Sequence, residues 1–257
     1  MPPWPHRVPD SPTMLHDISR PATQFLQRQR WFAGLAAAEQ HRIGASVSTL
    51  RGAKGDVLLR ANEAVEGCYA VLSGLVKLQS PAARGRRHAY LGIPAGEWFG
   101  EGSVMKDEPR HYDVIALRDC ELLCLPRSEF AALRATSLAF NQTLTEQFNM
   151  RLGQAMIIIE TMRLRTPEQR VAMYLGRHLW HGPRRLSLSQ EELGNLAGLS
   201  RQTVNHALQR LEQQGLVSLD FGRVSILDEE GLMALAMRSE SSAPGDPAQA
   251  GASAGRK

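Results

Sequence analysis

The chain reads as an α+β protein with three parts. These are an N-terminal antiparallel β-roll (a double-stranded β-helix or jelly-roll), one long helix, and a C-terminal winged helix-turn-helix. Three observations predict this. From about residue 43 to 125, short alternating apolar runs are punctuated by glycine, with turn signals every ~8–12 residues. From 136 to 164 apolar residues recur at spacings close to a heptad. From Ser189 to Asp228 two short helical patterns are joined at a glycine and followed by two short strands.

The implied segments are a disordered tail over 1–24, the roll over 25–135 and the long helix over 136–164. The winged helix-turn-helix takes 165–238, and a Ser/Ala/Gly/Pro tail predicted to be disordered takes 239–257. Phe25, Leu26, Trp31, Phe32 and Leu35 suggest one or two short helices packed on the roll. Strands are expected at 50–55, 57–59, 68–72, 75–78, 89–93, 113–116 and 120–125, with Ser73-Gly74 as a tight hairpin turn. In the long helix, Leu144, Phe148, Leu152, Ala155, Ile159 and Met162 follow spacings of 4, 4, 3, 4 and 3. Such a seam fits a homodimer interface. The alternative, burial within one subunit, stays open.

The next helix starts at Thr166-Pro167-Glu168-Gln169, a capping box with proline at the first helical position. Gly182-Pro183 is expected to end it, and Met162 to Arg165 to act as the hinge. Ser189 and Glu192 form a second capping box. Gly198 supplies the turn, and Ser200 caps the following helix. That helix places Val204, Leu208 and Leu211 on one face, with Arg201, Gln202, Asn205, His206 and Gln209 roughly opposite. Arg suits guanine, and Asn or Gln suits adenine. The Ser189, Ser200 and Thr203 hydroxyls and Arg223 of the wing suit phosphate. This ordered combination points to double-stranded DNA as a partner. Asp228 is expected to cap a last helix through Arg238.

A net charge of +4 permits nucleic-acid binding without arguing for it alone. Three cysteines, Cys68, Cys120 and Cys124, form no disulfide framework and fit a reducing cytoplasm. No apolar run approaches the ~20 residues of a membrane span. Cys120 and Cys124, four apart on one strand face, read as small buried hydrophobes, with a thiol sensor as the alternative. No nucleophile motif, phosphate loop, dinucleotide fingerprint or metalloprotease motif occurs, and no metal site is expected, so enzyme chemistry has no residue set to carry it.

The order of roll, long helix and winged reader, with Leu199-Ser200-Arg201-Gln202-Thr203-Val204-Asn205, resembles the Crp–Fnr family of bacterial transcription regulators over roughly residues 25–235. The resemblance implies a homodimer on a two-fold symmetric promoter site, in contact with RNA polymerase. It implies an effector pocket in a cyclic-nucleotide-binding roll. Gly100, Glu101, Gly102 and Ser103 align with the phosphate loop, Glu101 with the ribose-binding glutamate and Arg110 with the phosphate arginine. His111 stands where the family has serine. Ala155 and Met156 fall on positions that contact adenine in the cAMP-responsive member, and neither can make those bonds; an unpaired amino group costs about 1–3 kcal/mol. Cyclic nucleotide, another small molecule and no ligand therefore all stay open. Fnr-type iron–sulfur ligation needs four cysteines, most of them near the N-terminus, and none precedes Cys68. The alternative function is a cyclic-nucleotide-binding signalling module with little DNA-binding role.

Overall fold

A computed structural model describes residues 14–15, 19–81, 89–161, 166–176, 188–220 and 223–237. The first described element is a two-residue strand, β1 (Met14–Leu15), paired to β2 (Ser48–Gly52). Three helices lie between them: α1 (Arg20–Gln27), α2 (Arg30–Ala33) and α3 (Ala37–Ser46). The expected tail boundary at 24 is therefore too late. Ser19 caps α1 by accepting from the Ala22 N–H, Pro21 sits in its first turn, and Ala22 and Leu26 are buried. Ile43 belongs to α3 rather than to the roll.

The roll continues with β3 (Val57–Leu59), β4 (Gly67–Ser73), β5 (Leu75–Gln79), β6 (Ala89–Pro94) and β7 (Trp98–Phe99). Helix α4 (Glu101–Lys106), β8 (Asp113–Ala116) and β9 (Cys120–Pro126) complete it. Two antiparallel sheets face each other, in the orders β1-β2-β9-β4-β7 and β3-β8-β5-β6. The strands fall close to the expected ranges, but Ser73-Gly74 is not a hairpin turn. β4 and β5 belong to different sheets, so Gly74, at φ 89°, carries the chain across from one sheet to the other. Only long-range pairing reveals this.

β9 explains the near-continuous apolar run in its sequence. Leu122 and Cys124 face the space between the sheets, with Leu50, Tyr69, Val76 and Val114. Leu123 and Leu125 face outward onto a second core of Leu26, Trp31, Phe130 and Phe140. Trp31 meets Phe140 edge-on at 5.0 Å and lies 6.3 Å from Trp98, which fixes the N-terminal helices on the roll.

The long helix expected over 136–164 is α6 (Leu138–Thr161), and a separate helix, α5 (Arg127–Thr136), precedes it. Ser137 leaves helical geometry at φ −105°, ψ 108°, and its Oγ accepts from the Phe140 N–H at 3.2 Å, so it ends one helix and starts the next. Asn141 donates to the Arg134 and Ser137 carbonyls at 2.7 and 3.0 Å, which covers exposed groups at the break. The hinge read over 162–165 and Met162 of the seam lie outside the described residues.

Beyond it come α7 (Pro167–Leu175), α8 (Gln190–Ala197), α9 (Arg201–Gln213), β10 (Val217–Asp220), β11 (Arg223–Ile226) and α10 (Glu229–Ala236). α7 has the expected Thr166–Gln169 box but ends at Gly176, at ψ 145°, well before Gly182-Pro183. Gly176 lies against α10: a Cβ there would meet the Met233 sulfur at 3.3 Å. Val171, Leu193, Leu196, Val204, Leu208, Leu211 and Leu232 form the core of this domain. The tail after 238 and the histidines at 178 and 181 lie outside the described residues.

Candidate nucleic-acid interface and sensor cavity

The start of α8 is built as the sequence indicates. Ser189 Oγ accepts from the Glu192 N–H at 3.2 Å, and Glu192 Oε2 accepts from the Ser189 N–H at 2.7 Å. Gly198 turns the chain at φ 66°. Leu199 N–H returns to the Gly194 carbonyl at 3.0 Å. Gly194 itself permits this turn, because a Cβ there would sit 2.9 Å from the Leu199 carbonyl oxygen. Ser200 then caps α9 through the Thr203 N–H at 3.1 Å.

Val204 and Leu208 are fully buried, while Arg201, Gln202, His206 and Gln209 are exposed. Asn205 is half-buried and its Oδ1 accepts from Gln190 Nε2 at 3.3 Å, which ties it to α8. The Ser200 and Thr203 hydroxyls bond each other at 2.8 Å at the helix start. Ser189 also stands at a helix start. The wing forms through Asp220 opposite Arg223, and the Arg223 side chain lies outside the described residues. The structure thus brings Arg201, Gln202, Thr203, Asn205 and His206 onto one side of α9.

The sensor cavity encloses about 260 Å³ and is walled in part by Gly100, Glu101, Gly102, Ser103 and His111. Gly100, at φ 90°, starts α4. Arg110 stands behind this wall, 2% exposed, with its guanidinium carbon 5.3 Å from the Tyr69 ring centre and 6.0 Å from that of Tyr112. Its Nη1 has no hydrogen-bond partner, and neither has Glu101 Oε2, so these two do not pair with each other. Burial raises the Glu101 carboxyl above its ordinary value, against the opposing Arg151 charge and the Gln147 bond. Burial also pushes the Tyr112 hydroxyl up to about 12. His111 is exposed and points at Glu108 (3.2 Å), so it belongs to the rim.

Sequence reasoning missed Arg151. It reaches from α6 into the cavity wall, 3.0 Å from Glu97 and 2.8 Å from the Trp98 carbonyl oxygen. Its signal was a single basic residue in the apolar half of α6.

The predicted seam divides. Phe148 (37%), Leu152 (62%) and Ile159 (55%) are exposed, as is Met156 (61%) beside them, and Ala155 shares this exposure. Leu144 is only 6% exposed and packs into the core behind β9. Its place in a dimer seam is therefore corrected: the heptad spacing continues across it, but the roll covers this end of the helix. On the other side of α6, Ile158 packs against both the roll core and the reader core.

Cys120 and Cys124 share the interior face of the roll, as expected. Burial is the leading cause that holds their thiols up, at about 12 and about 11, and it pushes Cys68 up as well. Such thiols form little thiolate.

Residues 49–137 match the family described as cyclic nucleotide-binding domain, and residues 169–235 match the Crp-like helix-turn-helix domain. The cyclic AMP receptor protein of Thermus thermophilus is 31% identical over 162 residues, spanning 63% of this chain and 75% of that protein. This chain belongs to the Crp–Fnr family of transcriptional regulators. The HTH-type transcriptional regulator Cmr of Mycobacterium tuberculosis is 26% identical over 225 residues, covering 84% of this chain and 91% of that protein. FixK2 from Bradyrhizobium japonicum shares the fold, with a TM-score of 0.64 at 21% identity over 75% of this chain and 98% of that one.

Membership fixes the main reading: a Crp–Fnr-type DNA-binding transcriptional regulator carrying a cyclic-nucleotide-binding domain. The reading in which DNA binding has little role is not supported. These relatives are regulators rather than enzymes. Among the described residues no helix is long and apolar enough to cross a membrane.

Proposed function

We propose that this regulator works as a homodimer whose two α9 helices read the halves of a two-fold symmetric promoter site, where it meets RNA polymerase. Arg201, Gln202, Asn205 and His206 supply the base contacts, and Ser189, Ser200, Thr203 and Arg223 the phosphate contacts. A second copy covers the α6 seam of Phe148, Leu152, Ala155 and Ile159. Phe148, Leu152, Met156 and Ile159 stand exposed along this stretch of the helix, more than one face of a monomer's helix ordinarily leaves to water.

The effector is an anion that also carries hydroxyl groups, and a cyclic nucleotide is the type. One observation supports this: a buried carboxylate in the cavity wall and a buried guanidinium behind that wall, next to Gly100, each keep an atom unpartnered. An unpaired buried charge is costly, and an anion at Arg110 with a hydroxyl donor at Glu101 relieves both. Gly100 leaves the approach open, since even a Cβ there would lie 3.6 Å from Arg110 Nη1. Ala155 and Met156 offer adenine no hydrogen bond, which sets this pocket apart from a cAMP-specific one.

The test is sedimentation and titration calorimetry on the same purified protein. The expected result is a dimer that Leu152→Asp splits. cAMP or cGMP should bind the wild type and fail to bind Arg110→Ala. A Leu152→Asp dimer removes the seam from the interface. Equal binding by Arg110→Ala removes Arg110 from the site.

A further inference from the structure

Three side chains at one end of the roll meet α8 of the reader. Arg118, in the turn between β8 and β9, places its Nε and Nη2 on the two oxygens of Glu192, the second at 2.9 Å. Lys77 of β5, only 8% exposed, donates to Asn195 Oδ1 at 3.1 Å. Lys54, between β2 and β3, donates to Glu191 Oε2 at 2.7 Å. Beneath these polar contacts, Leu75 and Leu117 of the roll are buried in the same apolar cluster as Leu193, Leu196 and Val204.

The grip falls on the helix that does not read. Arg201, Gln202 and His206 stay exposed while α8 is held. Glu192 is also the carboxylate that caps α8 through the Ser189 N–H, so the Arg118 fork fixes the first turn of the helix-turn-helix itself. Burial raises the Glu192 carboxyl, but the Arg118 and Ser189 bonds outweigh it and leave it below its ordinary value. Lys54 and Arg118 further offset two acids, Glu191 and Glu192, in the first turn of α8.

We propose that the roll positions the reader for DNA within each subunit through this three-point contact, with Arg118 as the chief positioning residue. A reader held in one orientation has already lost the freedom that a reader on a bare hinge must lose on binding.

The test uses the full-length protein and a duplex selected by the wild type from a random library. Glu191→Lys decides most sharply, because the residue is exposed and the change adds positive charge. Simple attraction to phosphate predicts tighter binding, whereas positioning predicts about threefold weaker binding. Lys54→Glu weakens binding similarly, and Lys54→Glu with Glu191→Lys recovers it. Arg118→Ser costs about tenfold and Arg118→Lys recovers part of that. Amide exchange in α8 quickens in Arg118→Ser, while the ranking of half-site sequences stays that of the wild type. The proposal is overturned if Glu191→Lys binds tighter, if the exchanged pair binds no better than either single variant, or if Arg118→Ser binds as well as the wild type. Unaltered α8 exchange in Arg118→Ser also overturns it. Should Arg118→Ser unfold the reader, exchange across α9 reveals it and the Lys54–Glu191 exchange decides.

Discussion

In the reader, Ser189, Ser200 and Asp228 each accept a bond from the backbone of the helix they start, and Glu192 is held by both Ser189 and Arg118. In the sensor cavity, Glu101 and Arg110 are buried as deeply, yet each keeps an atom without a partner. Buried polar groups are ordinarily paired, because leaving one unpaired costs about 1–3 kcal/mol. Among the described residues of the reader, no buried side-chain nitrogen or oxygen lacks a partner. The cavity keeps an unrelieved cost, which the proposed anionic effector would remove.

The strongest way to break this contrast is to make the reader incomplete. Leu208 is fully buried among Val204, Leu211 and Val171. Leu208→Ala is expected to lower stability by about 2–5 kcal/mol in thermal unfolding, through lost burial and the cavity left behind. A loss well under that range means the reader core collapses around the gap and is less tightly determined than its caps imply.

The opposite change belongs in the cavity. Arg110→Met keeps much of the side-chain volume and removes a buried guanidinium whose Nη1 is unpartnered. It is expected to raise the stability of the free protein by about 1–3 kcal/mol while abolishing binding of an anionic effector. A destabilised Arg110→Met would mean that the Tyr69 and Tyr112 rings already satisfy the charge.

The same contrast governs what could be read from the sequence. The reader was legible because its determinants are local: Ser189 with Glu192, Gly198, and Ser200 three residues before Thr203. Each is a contact across three or four residues, and patterns of that range survive in one dimension. The strands were legible from alternation, but their sheet was not. Ser73-Gly74 reads as a hairpin, and only the pairing of β4 with β9 and of β5 with β8 shows that the chain changes sheets there. Leu144 and Leu152 share one heptad spacing, and the difference between them is set by the roll that covers the first. Arg118 and Glu192 lie 74 residues apart and Lys77 and Asn195 lie 118 apart, so no local pattern marks them. In the cavity, aligned residues found the floor, while Arg151 on a distant helix stayed hidden.

The finest test sets two carboxylates of opposite tendency against each other. Glu192 gives up its proton more readily in the folded chain than the ordinary 4.5, because its bonds to Arg118 and Ser189 outweigh burial. Its contribution is present above 4.5 and is lost as pH falls through its lowered folded value. Glu101 holds its proton more tightly than the ordinary 4.5, chiefly because it is buried. The free fold is favoured by it below 4.5, and this is lost as pH rises through its raised folded value. In unfolding measured across this range, Glu192→Gln should flatten the loss on the acid side. Glu101→Gln should remove the decline on the other side. Because hydroxyl donors favour the ionised form of Glu101, a bound effector should also remove that decline in the wild type and leave the Glu192 side untouched. A decline that persists unchanged in Glu101→Gln would place the unfinished charge elsewhere in the roll.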